Sequence, residues 1–481
     1  MKFTANDILS AGHIEALGFD KVKALHCTGV STDSRIVKTG DLFVAIRGEK
    51  YDGHNFVTKA VEAGGAALVV EKKWADSNSI LLSSINVPRL IVVNTVLALG
   101  ELARTHRRKF KIPFIVVGGS NGKTTTKDMI ASVLSERYRV LSTNGNLNNP
   151  IGVPQTLFRL EKEHQIAVVE IGTNHFGEIE YLCGVIEPTH ALITTVGREH
   201  LEFFGSVKGV AKAEGESFDW LRKHRKNVAV GFVNGDDART LKQARGLKKS
   251  ITYGFGKGTK AVQGTVAGVN QYACARLDVK ARGKKGFSLE LSLPGRHNAL
   301  NALAATTVGL TFRVPAAKIQ RAISSFTGTG KRMQMLKLGN ITVLNDTYNS
   351  NPDSVLAALE TLNAATVTGK KIAVLADMLE LGESAKDEHM RVGKLAKAYG
   401  IEYLLTYGPL SKHTYDAATT RFKVHYDQKN ILSEYLVELV ASGDIILIKG
   451  SRGMKMEDVV TFLTERLKLT PVASDGSERA A

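Results

Sequence analysis

Cysteine is scarce: Cys27, Cys183 and Cys274 are isolated, odd in number and without metal-ligand spacing, which excludes a disulfide framework and a cysteine-bound zinc. They read as reduced, structural thiols. No apolar run approaches the roughly 18 residues a membrane span needs. Met1-Lys2-Phe3-Thr4-Ala5-Asn6-Asp7 lacks the basic-then-apolar pattern of a signal peptide, so a soluble cytoplasmic protein is expected. No basic stretch is interleaved with aromatics, as a single-stranded nucleic-acid platform would require. No repeat with a period of roughly 20 to 50 residues is found, which removes solenoids and propellers.

What is present is length and positive charge. At 481 residues the expectation is two to four domains. A formal charge of +17 and a pI near 9.6 suit an anionic partner, either nucleic acid or phosphorylated small molecules. Basic residues are scattered, and Arg107-Arg108-Lys109 and Arg222-Lys223-His224-Arg225-Lys226 read as solvated surface.

The most informative segment is Gly119-Ser120-Asn121-Gly122-Lys123-Thr124, after the apolar run Ile112 to Val117 and before a helical stretch from Thr124 to Arg137. Glycines let the backbone approach an anionic oxygen, and amides at a helix start add partial positive charge. Lys123 can reach β/γ-phosphates and the Thr124 hydroxyl can hold Mg²⁺. Val117 stands where the usual phosphate-loop pattern has its first glycine, so the loop is a shortened one.

Strand-like runs recur. Asp41 to Ile46 and Ala66 to Val70 indicate a small α/β domain over 1–94. Ile112 to Val117, Ile166 to Ile171, His190 to Val196 and Val228 to Val233, with helices between, predict a parallel sheet in a central domain over 95–327. Alternation in Phe287 to Leu293 predicts a small antiparallel subsheet between Ser250 and Pro294. Ile341 to Leu344, Lys371 to Leu375, Tyr403 to Leu405 and Ile445 to Lys449 predict a doubly wound third domain over 328–481. The tail from about 472 has little to bury and is expected to be disordered.

Glu170 ends a strand-like run beside the phosphate loop, where open α/β sheets bind ligands, and is a candidate Mg²⁺ ligand. It is followed by Ile171 and Gly172, not by the second acid a nucleic-acid-dependent motor normally carries. His200 lies past another strand of the same sheet. Gly295-Arg296-His297-Asn298 precedes an Ala/Leu-rich helix. Lys331-Arg332 marks a hinge where a guanidinium can clamp a phosphate or make a surface salt bridge. Asn345 to Pro352 is a polar segment directly after a strand, suited to function or to capping a helix.

Together Gly119 to Thr126, Glu170, His200, Gly295 to Asn298, Asn345 to Pro352 and Lys449-Gly450-Ser451-Arg452 resemble the Mur ligases, ATP-dependent amide-forming enzymes of peptidoglycan precursor synthesis. Thr143 to Gly152, Glu170 to His175 and Asp346 to Pro352 point to the branch that joins D-alanyl-D-alanine to UDP-N-acetylmuramoyl-tripeptide. The resemblance covers nearly the whole chain and implies three domains: a UDP-binding α/β domain, a phosphate-loop ATPase domain and a Rossmann-like domain. It implies that Gly119, Ser120, Asn121, Gly122, Lys123, Thr124 and Thr125 bind ATP phosphates, and that Thr124, Glu170 and His200 surround Mg²⁺. Asn298 would contact adenine, Arg332 the phosphates and Asp346 the ribose. Ser31, Thr32, Asp33, Ser34 and Arg35, with Gly48 to His54, resemble the region that holds the uridine nucleotide. Asn146, Asn148, Asn149, Asn174, His175, Tyr348 and Asn349 would meet the peptide substrates. A cytoplasmic monomer without a nucleic-acid partner is implied.

The chain departs from the family pattern at one place. The family commonly has a carbamylated lysine in the helix after the His-Leu-Glu segment, and here Glu214 stands there, in Gly209-Val210-Ala211-Lys212-Ala213-Glu214. Glu214 is expected to supply the negative charge itself. Lys212 is the rival, yet two residues along a helix turn a side chain by roughly 200°. Three assignments stay open: diaminopimelate or lysine as third peptide residue; His175, His200 or His297 as base for the amine; and the sister ligase for the third residue or a folylpolyglutamate synthase as alternative reading.

Overall fold

The computed structural model describes residues 3–4, 15–17, 26–48, 51–225, 229–256, 258, 260–328 and 330–469. Glu49, Lys50, Lys226 and the tail named above lie outside the described residues.

The central unit is built on a nine-stranded sheet. Phe114–Gly118 lies between Ile166–Glu170 and His190–Ile193, all parallel, with Val140–Ser142 on the outer side of Ile166–Glu170. Beyond His190–Ile193 come Val230–Asn234, Ser250–Gly254 and Val262–Val269, still parallel, then the antiparallel Cys274–Ala281 and Phe287–Pro294. The antiparallel strands therefore extend the main sheet instead of forming a sheet of their own.

The central strands are buried along their length because helices cover both faces. Phe114 and Val116 pack towards helices Thr95–Arg108, Glu178–Ile186 and Val207–His224. Ile115 and Val117 point the other way, towards Lys123–Ser135 and Arg296–Thr311. This period of two divides the side chains between the two faces, and the parallel direction of the strands brings their carboxyl ends together at the cleft.

Residues 15–92 contribute a five-stranded sheet, in which Gly29–Ser31, Asp41–Val44, Ala67–Glu71 and Arg89–Val92 run parallel. Leu42, Val44, Val69 and Leu90 belong to the same apolar core as Phe114 and Leu182, so the first two units share one interior. Gln155 Nε2 also donates to Thr32 Oγ1 at 3.0 Å across them.

The C-terminal unit holds a six-stranded sheet. Ile341–Asp346, Ile445–Lys449, Lys371–Ala376, Tyr403–Tyr407 and Phe422–Tyr426 are parallel, and Gln334–Leu338 is an antiparallel edge. Helix Pro352–Ala364 begins with a capping box between Asn351 and Ser354 and has Pro352 at its first turn, so the polar segment after the strand does cap a helix.

Candidate active site

The strand Phe114–Gly118 ends in a loop that only glycine can make. Gly119 has φ 114° and Gly122 has φ 81°. A Cβ on Gly119 would sit 2.8 Å from the Thr194 amide nitrogen, and one on Gly122 2.7 Å from Asn301 Oδ1. Helix Lys123–Ser135 starts there, so its first free amides face the cleft.

Lys123 folds back over this loop. Its ammonium donates to the Gly119 carbonyl at 2.5 Å and the Ser120 carbonyl at 3.3 Å, and lies 3.3 Å from Glu199 Oε2. Burial pushes its pKa down, but Glu199, Glu214 and Glu170 outweigh this and hold it above the usual lysine value.

Three carboxylates thus surround one ammonium. Glu170 Oε1 accepts from Thr124 Oγ1 at 3.1 Å and Asn148 Nδ2 at 2.9 Å, while its Oε2 is buried without a partner. Glu214, on helix Val207–His224, is 1% exposed. Its Oε2 accepts from the Gly119 amide at 2.6 Å and its Oε1 has no partner. Burial raises its carboxyl to about 8, against the pull of Lys123, with Glu199 adding to the rise and the Gly119 amide opposing it. Lys212 is on the outer side of the same helix, exposed, its ammonium 5.3 Å from the centre of the Phe176 ring.

Lys123, Thr124, Glu170 and Glu199 border a cleft of about 920 Å³ between the central and C-terminal units. Of the expected phosphate-binding residues, Ser120 to Thr125 line it, and Gly119 and Glu214 lie behind its wall. Asn146, Asn148, Asn149 and Asn174 border it from the central unit, with Glu170, His200 and Asn298. Arg332, Asp346, Tyr348 and Asn349 face them from the C-terminal unit. Ser31 to Arg35 and His175 do not border the cleft. Asp33 and Arg35 form a forked ion pair with each other on the N-terminal unit, with 2.6 Å between Arg35 Nη2 and Asp33 Oδ2.

Several expected ligand contacts are occupied by protein groups. Asp346 Oδ2 accepts from Lys449 Nζ at 2.6 Å and its Oδ1 from the Met333 amide at 3.0 Å. The Asn298 amide donates to the Pro294 carbonyl at 2.8 Å. Arg332 stacks over the Tyr348 ring, 3.7 Å from its centre. His200 Nδ1 lies 2.7 Å from Glu380 Oε2. Burial lowers the His200 pKa, but Glu380 and Glu199 leave it above the ordinary histidine value. His297 is half-buried in the cleft wall, and loss of solvation there pushes its pKa down to about 4.

Sequence reasoning missed the groups that join the two halves. Arg198, Asp353 and Glu380 all line the cleft. Glu380 follows the strand Lys371–Ala376 and Arg198 follows His190–Ile193, so the strand-end rule that found Glu170 also covers them.

A phosphate loop at the ends of parallel strands, facing a Rossmann-like unit across a carboxylate-rich cleft, defines the class as an ATP-dependent ligase. Residues 26–107 match the Mur ligase family catalytic domain, 117–309 the Mur ligase middle domain and 331–452 the Mur ligase glutamate ligase domain. The UDP-N-acetylmuramoyl-tripeptide–D-alanyl-D-alanine ligase of Bacillus subtilis is 34% identical over 448 residues, covering 91% of this chain and 93% of the relative. MurF from Acinetobacter baumannii superposes with a TM-score of 0.87 at 29% identity, over 97% of this chain and 99% of that one. MurF ligase from Thermotoga maritima, solved in complex with ADP, gives a TM-score of 0.79 at 25% identity over 91% and 97%. The chain belongs to the Mur ligase family.

Proposed function

We propose that this ligase joins D-alanyl-D-alanine to UDP-N-acetylmuramoyl-tripeptide with ATP, giving the pentapeptide precursor, ADP and phosphate. The observation that carries the reading is the pairing of a complete phosphate loop with full-length similarity to ligases of that name. The terminal carboxylate oxygen of the tripeptide attacks the γ-phosphorus and the bond to ADP breaks. The dipeptide amine then attacks the acyl carbon, loses a proton, and phosphate leaves as the amide forms.

The chain's residues suit each demand. The amides of Gly119 to Thr125 hold phosphate oxygens, and Lys123 exchanges its Gly119 and Ser120 carbonyls for phosphate while Glu199 holds it in place. Arg332 and Lys449 add positive charge from the opposite wall, offsetting the repulsion between a carboxylate and a phosphoryl group. Asn146, Asn148, Asn149, Asn174, Tyr348 and Asn349 orient the peptide ends. Ser31 to Arg35 hold the uridine diphosphate at a distance from the chemistry, with Arg35 released from Asp33.

The donor set fits Mg²⁺. Glu170 Oε2 and Glu214 Oε1 are buried carboxylate oxygens without partners, and the Thr124 hydroxyl adjoins Glu170. Among the described residues no three His, Cys, Asp or Glu side chains form a closed cage. That suits an ion held by one or two carboxylates plus phosphate and water. Thr124 and Glu170 would hold it, with His200 at its edge. When bound, Mg²⁺ neutralises charge on the transferring phosphoryl group. Glu214 supplies a fixed carboxylate behind Gly119, without CO₂ chemistry.

The family resemblance is what suggests a cytoplasmic monomer. Among the described residues no helix is long and apolar enough to cross a membrane. Phosphate release from ATP should require Mg²⁺, the tripeptide nucleotide and D-alanyl-D-alanine together. Turnover with a dipeptide nucleotide or a folate instead would move the chain to a sister ligase.

A further inference from the structure

Three consecutive residues after the strand His190–Ile193 each grip a different element. The Arg198 backbone amide donates to Asp353 Oδ2 at 2.7 Å and its Nη1 to Asp353 Oδ1 at 2.9 Å, while its Nε lies 3.0 Å from Glu388 Oε1. Those carboxylates sit on two helices of the C-terminal unit, Pro352–Ala364 and Ala385–Ala396. Glu199 turns the other way, onto the ammonium of Lys123. His200 pairs with Glu380, again on the C-terminal unit.

The same helix start touches the phosphate loop directly. Asn351, the cap of Pro352–Ala364, donates from Nδ2 to Asn121 Oδ1 at 2.9 Å. The Ser120 hydroxyl accepts from the Gly197 amide at 2.8 Å, and the Ser120 amide donates to the Thr195 carbonyl at 2.7 Å. The phosphate loop, the segment from Thr195 to His200 and the C-terminal helix starts therefore form one bonded chain. His200 and Glu380 have φ of 47° and 63°, a left-handed backbone that such side chains rarely adopt, so the segment is held in place by its surroundings.

We propose that Arg198 is a positioning residue that couples docking of the C-terminal unit to the phosphate loop. Its guanidinium holds two carboxylates of the incoming unit, and its backbone carries Glu199, which fixes where the Lys123 ammonium rests. Docking thereby sets the Lys123 position needed for phosphoryl transfer, while nucleotide binding to the loop amides does not depend on it. A guanidinium fork held by two carboxylates is directional, which a point charge is not. The kinetic consequence rests on the ligase reading; the structural one does not.

The test uses the full chain with Arg198→Ala, Arg198→Lys, Glu388→Gln and the double variant Arg198→Ala/Glu388→Gln. ADP affinity is measured by calorimetry with Mg²⁺, kcat and KM by phosphate release, and compactness by X-ray scattering with and without ADP. For Arg198→Ala we expect ADP affinity to fall by no more than about threefold, the share that Arg332 and Asp346 add from the docked unit, kcat to fall on the order of tenfold or more, and a larger radius of gyration. Arg198→Lys should recover part of kcat, and Glu388→Gln should cost kcat in wild type but not in the Arg198→Ala background. Unchanged compactness in Arg198→Ala, unchanged kcat, a loss of ADP affinity equal to the loss of kcat, or an additive double variant would each overturn the assignment. If wild type makes no pentapeptide product, the ligase reading fails, and the scattering arm still decides the role of Arg198.

Discussion

Glu214 shows how one substitution changes the chemistry a residue must bring. A lysine there needs CO₂ to become an anion, whereas a glutamate is one by ionisation. In the ligand-free cleft burial raises its carboxyl to about 8 against the pull of Lys123, so a bound cation would favour the charged form further. Glu214→Gln should fold normally and lose about 10²- to 10³-fold in kcat, the usual scale for removing one preorganised electrostatic group. Added bicarbonate should leave wild-type rates unchanged. Activity retained in Glu214→Ala, with bicarbonate rescue that depends on Lys212, would refute the role. Two histidines make a separate residue-scale prediction. Burial, with Lys249 nearby, lowers His190 to about 4, and burial lowers His297 likewise. The unfolded chain takes up protons near 6.5 that these rings refuse. Stability is thus whole above about 6.5 and is lost as pH falls towards 4, by up to about 3 kcal/mol per histidine. Between pH 7 and 4.5 the raised Glu214 carboxyl works in the opposite direction, so the test is the difference: in urea titrations of the ligand-free enzyme, wild type should lose more stability over this range than His190→Phe, Glu214 contributing equally to both. An unchanged slope would place the acid sensitivity elsewhere.

At the scale of elements, the strand, loop and helix of the phosphate site were legible because each residue there serves a local rule. The run Ile112 to Val117 became Phe114–Gly118, and the helix expected from Thr124 to Arg137 became Lys123–Ser135. The edge strands Gln334–Leu338 and Phe422–Tyr426 went unread because they are half-buried and mix Lys337, Lys423 and His425 with apolar residues. Only pairing with a neighbour makes such segments strands. The antiparallel wing was legible in the alternation of Phe287 to Leu293, but its continuity with the parallel sheet depends on Val262–Val269 joining Ser250–Gly254. Two element-scale outcomes follow. Gly122→Ala forces a Cβ into left-handed backbone and against Asn301, so ADP affinity should fall at least tenfold, read by calorimetry. Asn351→Ala removes the capping box and the Asn121 contact together and should cost about 1 kcal/mol or more in chemical denaturation.

Across the whole molecule, the first two units share an apolar core, whereas the C-terminal unit meets the central one through ion pairs and amide contacts at the cleft, with only Ala273 and Leu201, among the described residues, reaching into its apolar core. Polar interfaces of that kind permit relative motion. This organisation explains what the sequence hid: Arg198 and Asp353 are 155 residues apart, and nothing local to either marks the other. The positive charge suits the two nucleotide substrates, which are anions, whereas the dipeptide is a zwitterion.

The central claim is ligation of these two substrates through an acyl phosphate, and isotope transfer tests it most directly. UDP-N-acetylmuramoyl-tripeptide carrying ¹⁸O in its terminal carboxylate is incubated with ATP, Mg²⁺ and D-alanyl-D-alanine, and product and phosphate are analysed by mass. The account predicts the pentapeptide nucleotide together with phosphate that holds one ¹⁸O atom per turnover. Unlabelled phosphate, or ATP consumed without the pentapeptide, would contradict it.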